Sequence, residues 1–523
     1  MTASGVADTF SSEGQNRAAP IGPYAFVVAL TTGLAGAMLA ASAVIEGIVD
    51  SGSKADCAVM AVVAAVCLAY ASHQRRRPIS SRSLQPVSTL SAVVVGYLLL
   101  AAISTIVYLA TGTFGRLDDA LYESVAGVST NALTLLEDPS ELSSGLLIWR
   151  AGTQWLGGLG ALALAIAVLP FLGGSRELAD PRRPRQEGLA LAPRPGPAFK
   201  RVSVLYVFVS AGVLIALGLA GMSLRDALAH TLSSVSTGGF STYAAGIEHF
   251  DSQAVNLVMI VVMAGAGSSL ALVWMIWRGQ FRQAPRVTEL RVYVGVLAVS
   301  TIWLTWLLRN DRSASDGVSD RLIETGFTVV SMSTTTGHHV ADWATWQPGA
   351  VIALVCLMVI GGMAGSVAGG LRWIRVIGLV QFVWRELQRQ LHPRSVRSVK
   401  VGDTSLSEGT VDRMHAQLVI MLIGASVGGV ALAFFGGGVV ESFSLAFSAL
   451  STTGPALASD GTTLVHAADL SAWQRLVLMP AMIAGRVFLY PALVLSGAFW
   501  FGAARSLRSW YTEATDPKPQ ARQ

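Results

Sequence analysis

Four segments rich in Ser, Thr and Gly, spaced about 100 residues apart, hold the residues best suited to bind a cation. Each segment begins nine positions after an acidic residue. Backbone carbonyls and Thr hydroxyls can replace the water around a dehydrated monovalent cation, and Gly leaves no side chain in its path. The pattern therefore predicts one cation filter built from four segments. The candidate ligand residues are Ser129, Thr130, Asn131, Ala132, Ser236, Thr237, Gly238, Gly239, Thr334, Thr335, Thr336, Gly337, Ser451, Thr452, Thr453 and Gly454.

The acidic residues predict where four short helices begin. The helices are expected near 119–127, 226–234, 324–332 and 441–449, and all are too short to cross a bilayer. A carboxylate at a helix start is favoured by the helix dipole and can cap free N–H groups. The same charges would form an acidic vestibule that concentrates cations. Both interpretations are open for the four residues, which are Asp119, Asp226, Glu324 and Glu441.

The composition is that of a membrane protein. Apolar residues make up 52% of the chain, charged residues only 13%, and the mean hydropathy is +0.54. Runs of about 20 apolar residues are long enough to cross a bilayer. We predict ten such spans, near 23–47, 55–72, 90–110, 144–170, 202–221, 255–277, 290–308, 349–380, 417–436 and 472–503.

The spans and short helices together predict an all-α polytopic membrane protein. Four span–pore helix–span units would surround a central pore, preceded by a two-helix hairpin. Non-helical backbone at membrane depth is tolerated where it lines water or is buried in protein, although four ordinary extracellular loops are the simpler alternative. The predicted parts are an N-terminal tail 1–22, a hairpin 23–72, units 90–172, 202–280, 290–385 and 415–505, and a C-terminal tail 506–523.

The charge distribution predicts the orientation in the membrane. Lys and Arg concentrate on alternate loops, which the positive-inside rule places in the cytoplasm together with both termini. The pI of about 9.2 therefore does not indicate a nucleic-acid partner. The basic stretch 385–400 could contact anionic lipid, dock a regulatory subunit or remain a solvated linker.

Residues for covalent chemistry are missing from the sequence. The three cysteines, Cys57, Cys67 and Cys356, lie in or beside apolar runs without metal-ligand spacing. We find no Ser-His-Asp arrangement, no paired acid and base, and no phosphate loop. The polar first 19 residues carry no signal-peptide pattern, so the first span is expected to be uncleaved. We predict neither an enzyme nor a bound cofactor, and K⁺ at the filter as the one metal ion.

Several motifs resemble the superfamily of K⁺ transporters that includes bacterial TrkH and KtrB and plant HKT proteins. Residues 149–160 resemble its WR…TQWLGGxG signature, residues 236–241 its STGGFS filter, and residues 361–370 its GGCAGSTGGG run. The fourth segment ends in Gly454-Pro455, and Gly485-Arg486 follows in the last span. The resemblance covers residues 90 to 505, and the additional hairpin is similar to TrkH.

The resemblance implies K⁺ uptake across the cytoplasmic membrane by a homodimer. It also implies a TrkA/KtrA-like cytoplasmic nucleotide-binding subunit as partner. The Gly-rich run would be an intramembrane gating loop below the filter, with Arg486 projecting into the pore. The gate residues are then Gly361, Gly362, Gly365, Ser366, Gly369, Gly370 and Arg486.

The sequence departs from the family at three places. Ala132 stands where the first filter segment usually has Gly, and Asn131 is the alternative left-handed residue. In the HKT group, Ser in place of this Gly accompanies Na⁺ transport. His338 replaces a usual aromatic residue beside His339, and Phe488 replaces the acidic residue after Arg486. The alternatives are a Na⁺-permeable or non-selective channel and a non-conducting scaffold or sensor.

Overall fold

The computed structural model describes residues 23–49, 54–75, 86–168, 195–315, 317–392, 398–402 and 404–487. The predicted tails 1–22 and 506–523, and the end of the predicted span 472–503, lie outside these residues. Within the described residues the helices are joined by loops, and the two named strands form a short antiparallel pair, β1 (Lys400–Val401) and β2 (Thr404–Ser405).

The predicted hairpin consists of α1 (Pro23–Val49) and α2 (Lys54–Arg75), which pack along each other. Both helices are apolar and long enough to cross a bilayer. Helix α1 also contacts the first repeat, so the hairpin is attached to the side of the repeated part.

After the hairpin, the same order of elements recurs four times: a long helix, a short helix, a Ser/Thr/Gly segment and a further helix. In the described residues, one helix follows the segment in the first and fourth repeats, and two helices follow it in the second and third repeats. The helices are α3 (Pro86–Ala110), α4 (Leu117–Ser129) and α5 (Ser144–Val168); α6 (Pro195–Leu219), α7 (Leu224–Val235), α8 (Gln253–Ala266) and α9 (Leu270–Trp277); α10 (Thr288–Leu307), α11 (Val318–Ser333), α12 (Pro348–Ile360) and α13 (Trp373–Leu391); and α14 (Glu408–Phe434), α15 (Val439–Ser451) and α16 (Ala472–Arg486).

The four short helices, α4, α7, α11 and α15, are found where they were predicted. One of the predicted starts is wrong. Helix α11 begins at Val318, so Glu324 lies in its second turn and does not open the helix. The prediction placed each start at the acidic residue, whereas α11 already contains six residues before Glu324.

Two of the predicted spans are not continuous helices. The span 255–277 consists of α8 and α9, which meet at 108°. The span 349–380 is interrupted between α12 and α13, as the glycine content of 361–370 indicates. In the described part of the chain, six helices can cross a membrane by length and composition, or seven if the bent pair counts as one.

The buried apolar residues form two main clusters. One is built chiefly from the second and third repeats, and the other from the hairpin and the first and fourth repeats. A small separate cluster of Val399, Leu406, Val411 and Met414 holds the β-hairpin between α13 and α14. The four Ser/Thr/Gly segments are almost entirely buried.

Candidate functional site

Each of the four segments leaves its short helix through a threonine in the left-handed conformation. The φ angles of Thr130, Thr237, Thr335 and Thr452 are 55°, 54°, 54° and 57°. A positive φ is unusual for a β-branched residue and costs on the order of 1–3 kcal/mol. The same strained turn at four equivalent positions indicates that the path of this backbone matters more than its local stability.

The same two hydrogen bonds close each turn. The left-handed Thr donates its N–H to the carbonyl three residues earlier, at 3.0 to 3.2 Å. The next residue donates to the carbonyl five residues earlier, at 2.7 to 3.1 Å. This is the Schellman arrangement that ends a helix, with Thr where Gly is usual. The donors of the second bond are Asn131, Gly238, Thr336 and Thr453.

The four segments converge at their fourth residues. Gly239, Gly337 and Gly454 have φ angles of 81°, 82° and 113°, whereas Ala132 is not among the residues with positive φ. A Cβ added to these three glycines would lie 2.7, 2.8 and 2.5 Å from the Cβ of Ala132. The methyl group of Ala132 therefore faces all three glycines, and the Ala132 N–H donates to Thr453 O at 3.2 Å.

Asn131 does not adopt the left-handed conformation considered for it. Thr130 takes that conformation instead, so the first segment keeps the register of the other three. The Asn131 side chain accepts the Leu133 N–H at 3.0 Å and donates to Ser448 O at 3.5 Å. Its role in this structure is to bind neighbouring backbone.

Gln154, on α5, supports the second segment from behind. Its Nε2 donates to Gly238 O at 2.8 Å, and its Oε1 accepts the Phe240 N–H at 3.2 Å. The nitrogen and the oxygen of its amide therefore both bind backbone between Gly238 and Phe240. On the same helix, a Cβ at Gly157 would clash with Val128 O, so the glycines of the 149–160 motif permit the close approach.

A buried ion pair joins α4 to the stretches that follow the first and second segments. Arg150 donates to Glu123 at 2.8 Å, and both side chains are almost fully buried. Glu123 also accepts the Leu135 N–H at 2.9 Å. Arg150 donates to Ser241 O at 3.1 Å and lies 3.6 Å from the ring centroid of Phe240.

Sequence reasoning missed Glu123. A signal was available, because Glu123 is a carboxylate four residues after Asp119 within an otherwise uncharged part of α4. An internal acidic residue in such a helix requires a buried partner. The motif arginine Arg150 is that partner.

Hydrogen bonds hold all four predicted vestibule carboxylates. Arg475 donates to Asp119 at 2.6 Å, and Arg225 donates to Asp226 at 3.4 Å. Asp226 also accepts the Ser223 hydroxyl at 2.7 Å. Two further contacts tie loops to these helices: Glu324 binds Ser315, and Glu441 binds Ser459. Two of these negative charges are therefore offset by neighbouring arginines.

The glycine loop, residues 361–370, contacts the filter segments directly. The Gly369 N–H donates to the Thr335 hydroxyl at 2.8 Å. A Cβ on Gly369 would clash with Ser451 O, so this close approach requires Gly. The Ser366 hydroxyl donates to Met363 O at 2.6 Å, within the loop. The other predicted gate residues, Gly361, Gly362, Gly365 and Gly370, lie in the same interruption between α12 and α13.

Arg486, at the end of α16, reaches the glycine loop. Its Nη1 donates to Val367 O at 2.8 Å, and the residue is only 3% exposed. The structure brings Arg486 together with the other predicted gate residues, whereas Phe488 lies outside the described residues.

His338 is a buried connection between the second and third repeats. Its Nε2 lies 3.1 and 3.0 Å from the hydroxyls of Ser233 and Ser234 on α7. Its ring lies 5.8 Å from that of His230. His339 is half-buried, and its carbonyl accepts the Ile247 N–H at 3.2 Å.

Comparison with known proteins gives consistent matches. A model of the TrkH family, described as a cation transport protein, matches residues 59–499. The chain is 32% identical over 396 residues to the Trk system potassium uptake protein TrkH of Halomonas elongata, covering 73% of this chain and 79% of that protein. It is 30% identical over 390 residues to the TrkH of Escherichia coli, with the same two coverages of 73% and 79%.

A solved structure shares the fold. The crystal structure of the potassium transporter TrkH from Vibrio parahaemolyticus superimposes with a TM-score of 0.79 at 26% identity, over 90% of this chain and 98% of that chain. This confirms the predicted all-α membrane fold. The matched region of the family model includes all four short helices and the glycine loop. The chain belongs to the TrkH family of cation transport proteins.

Proposed function

We propose that this chain takes up K⁺ through a pore whose selectivity filter is made of backbone carbonyls. Its relatives are named as potassium uptake proteins. The transported ion is the substrate, and the mechanism requires no cofactor. K⁺ entering the filter would exchange its water for carbonyl and hydroxyl oxygens of the four segments.

The observation that carries this proposal is the fourfold left-handed threonine turn. Each turn ends a short helix and starts an extended segment, and all four segments meet at Ala132 and its three glycine counterparts. Four equivalent backbone arcs can offer oxygens on all sides of one ion. The negative ends of the helix dipoles at the same four places favour a cation.

The gate in this proposal is the glycine loop with Arg486. The loop touches the filter through Gly369, and the buried cation of Arg486 binds Val367 in the same loop. A cation path that runs past this loop would be blocked by the loop backbone and opposed by the arginine charge. Movement of the loop would open the path.

A Na⁺-permeable or non-selective pore is the second candidate. Ala132 favours it, because a methyl group replaces the hydrogen of Gly at the point where the segments meet. A changed number or spacing of ligands alters selectivity between monovalent cations. A non-conducting scaffold or sensor is the alternative outside transport.

The family resemblance also supports a proposal about the surroundings of the pore. We propose that the protein lies in lipid in the cytoplasmic membrane with both termini in the cytoplasm, because the basic loops alternate along the chain. We also propose a homodimer regulated by a TrkA/KtrA-like nucleotide-binding subunit. The vestibule carboxylates would then face the outside and attract cations. The arginine partners of Asp119 and Asp226 would reduce this attraction.

Ion flux tests the function. The purified chain in liposomes should pass K⁺ faster than Na⁺, and Gly239→Ser should abolish most of the K⁺ flux. A side chain at Gly239 would clash with Thr336 O, and its φ of 81° strains any residue other than Gly. Gly218→Ser is a matched control, because a side chain at Gly218 would meet open space.

The two rivals predict different results in this assay. Equal K⁺ and Na⁺ flux that Gly239→Ser removes would establish a non-selective filter. If no ion passes, adding a nucleotide-binding subunit from the same genome distinguishes a closed channel from a non-conducting relative. Flux that is unchanged in Gly239→Ser would rule out the filter.

A further inference from the structure

Glu289 is a buried carboxylate that belongs neither to the filter segments nor to the proposed gate residues. It lies in the first turn of α10 and is 8% exposed. An ionisable side chain at such a position requires hydrogen-bond partners that compensate its lost hydration. Its partners lie in another part of the third repeat.

One oxygen of Glu289 accepts two backbone N–H groups. Ala364, within the glycine loop, donates to Oε1 at 2.8 Å. Ile374, in the first turn of α13, donates to the same oxygen at 3.0 Å. The carboxylate therefore connects the loop to the helix that follows it, and hydrogen bonds to a charged acceptor are the stronger kind.

Backbone hydrogen bonds also hold the glycine loop, on the side that faces α8 and α9. Met363 and Val367 donate to Gly267 O and Ala266 O, and Gly365 O accepts the Leu270 N–H. These bonds join the loop to the bend between α8 and α9 through neutral backbone groups. Glu289 instead holds the loop through a charged side chain on α10. The nearby guanidinium groups of Arg372 and Arg375 interact with that charge.

We propose that Glu289 is a positioning residue that holds the glycine loop against the filter segments. When the loop moves away from Thr335, the bond from Ala364 must break, whereas the bond from Ile374 can remain with α13. Glu289 thus favours the conformation seen here without touching the ion. The inference rests on the proposed function in one respect, that the glycine loop is the gate.

Three substitutions separate the acceptor from the charge. Glu289→Ala removes the acceptor. Glu289→Asp keeps the charge but is one methylene too short to reach both donors. Glu289→Gln keeps the length and an acceptor oxygen. Glu408→Gln is the control, because Glu408 is an exposed carboxylate that binds Arg385 outside the loop.

The first measurement is hydrogen–deuterium exchange of peptides covering 361–374 in the full chain in lipid nanodiscs. Exchange should be about tenfold faster in Glu289→Ala, the change expected when a charge-assisted hydrogen bond is lost. Glu289→Asp should behave like Glu289→Ala. Glu289→Gln should show a smaller increase, because a neutral acceptor keeps the geometry but bonds more weakly, and Glu408→Gln should match the parent protein. If Glu289→Ala does not fold, the inference is tested by comparing the exchange rates of Glu289→Asp and Glu289→Gln. The inference would be overturned if Glu289→Ala and Glu289→Asp both exchanged at the rate of the parent protein. If Glu289→Ala does not fold, the parent rate in Glu289→Asp alone would overturn it.

The second measurement is K⁺ flux of the same proteins in liposomes. Faster exchange together with flux raised several-fold, at an unchanged K⁺-to-Na⁺ ratio, supports both the positioning role and the gate. Faster exchange with unchanged flux supports the positioning role of Glu289 and contradicts the gating role of the loop. Raised flux with unchanged exchange contradicts the positioning role.

Discussion

At the scale of single residues, the most consequential position is Ala132. The sequence identified it as a departure, but only the structure places its methyl group against three glycines of other repeats. The sequence also offered Asn131 as the left-handed residue, because Asn tolerates that conformation better than Thr. Tertiary contacts decided otherwise, and Thr130 is strained in the same way as its three counterparts.

Ala132→Gly should increase selectivity for K⁺ over Na⁺. Removing the methyl group gives the backbone of the first segment the same conformational freedom as the three segments with Gly. The carbonyls of the first segment could then approach the ion as those of the other segments do. We expect the K⁺-to-Na⁺ flux ratio in liposomes to rise several-fold. Ala132→Ser, which adds an oxygen and bulk at the same place, should lower it. Equal ratios in all three proteins would mean that this residue does not contact the ion path.

At the scale of elements, the segments are held from behind by α5. Gln154 binds the second segment, and the Glu123–Arg150 pair joins α4 to the stretches after the first and second segments. The helical positions of these residues were predictable from the sequence. Their pairing was not, because Glu123 and Arg150 are 27 residues apart and their contact depends on the packing of α4 against α5.

Breaking the Glu123–Arg150 pair should destabilise the protein strongly. Arg150→Met leaves a buried carboxylate without its cation and should cost about 3–5 kcal/mol of unfolding free energy. The double variant Glu123→Gln/Arg150→Met should recover part of that loss. Thermal unfolding in detergent measures both.

The pair Arg385–Glu408 provides the comparison for that test, because its carboxylate is exposed. Arg385→Met should change stability by less than about 1 kcal/mol, because Glu408 is largely in solvent. A loss in Arg150→Met no larger than the loss in Arg385→Met would show that the buried pair contributes no more than a surface one.

At the scale of the whole molecule, the fold was predictable because its pattern is repeated. Four copies of a short helix followed by Ser, Thr and Gly identified the repeats, and the likeness to a TrkH crystal structure confirms the helical membrane fold. The bend of 108° between α8 and α9 was not predicted. A signal was available, because Gly267, Ser268 and Ser269 interrupt the apolar run 255–277 at this point. The angle itself depends on packing against the glycine loop, where Gly365 O accepts the Leu270 N–H.

The four left-handed threonines also link the transported ion to the stability of the fold. An ion that binds the four arcs stabilises the native state by RT ln(1 + [K⁺]/Kd), about 2.7 kcal/mol at 100 times the Kd. The melting temperature should therefore be higher in KCl than in N-methyl-D-glucamine chloride of equal ionic strength. Gly239→Ser should lose this difference, while Gly218→Ser should keep it.

Equal melting temperatures in the two salts would show that the turns do not need the ion. With the expected difference, K⁺ would be a structural component of the protein that it carries. A cell depleted of K⁺ would then contain a less stable and shorter-lived transporter, just when uptake is needed most.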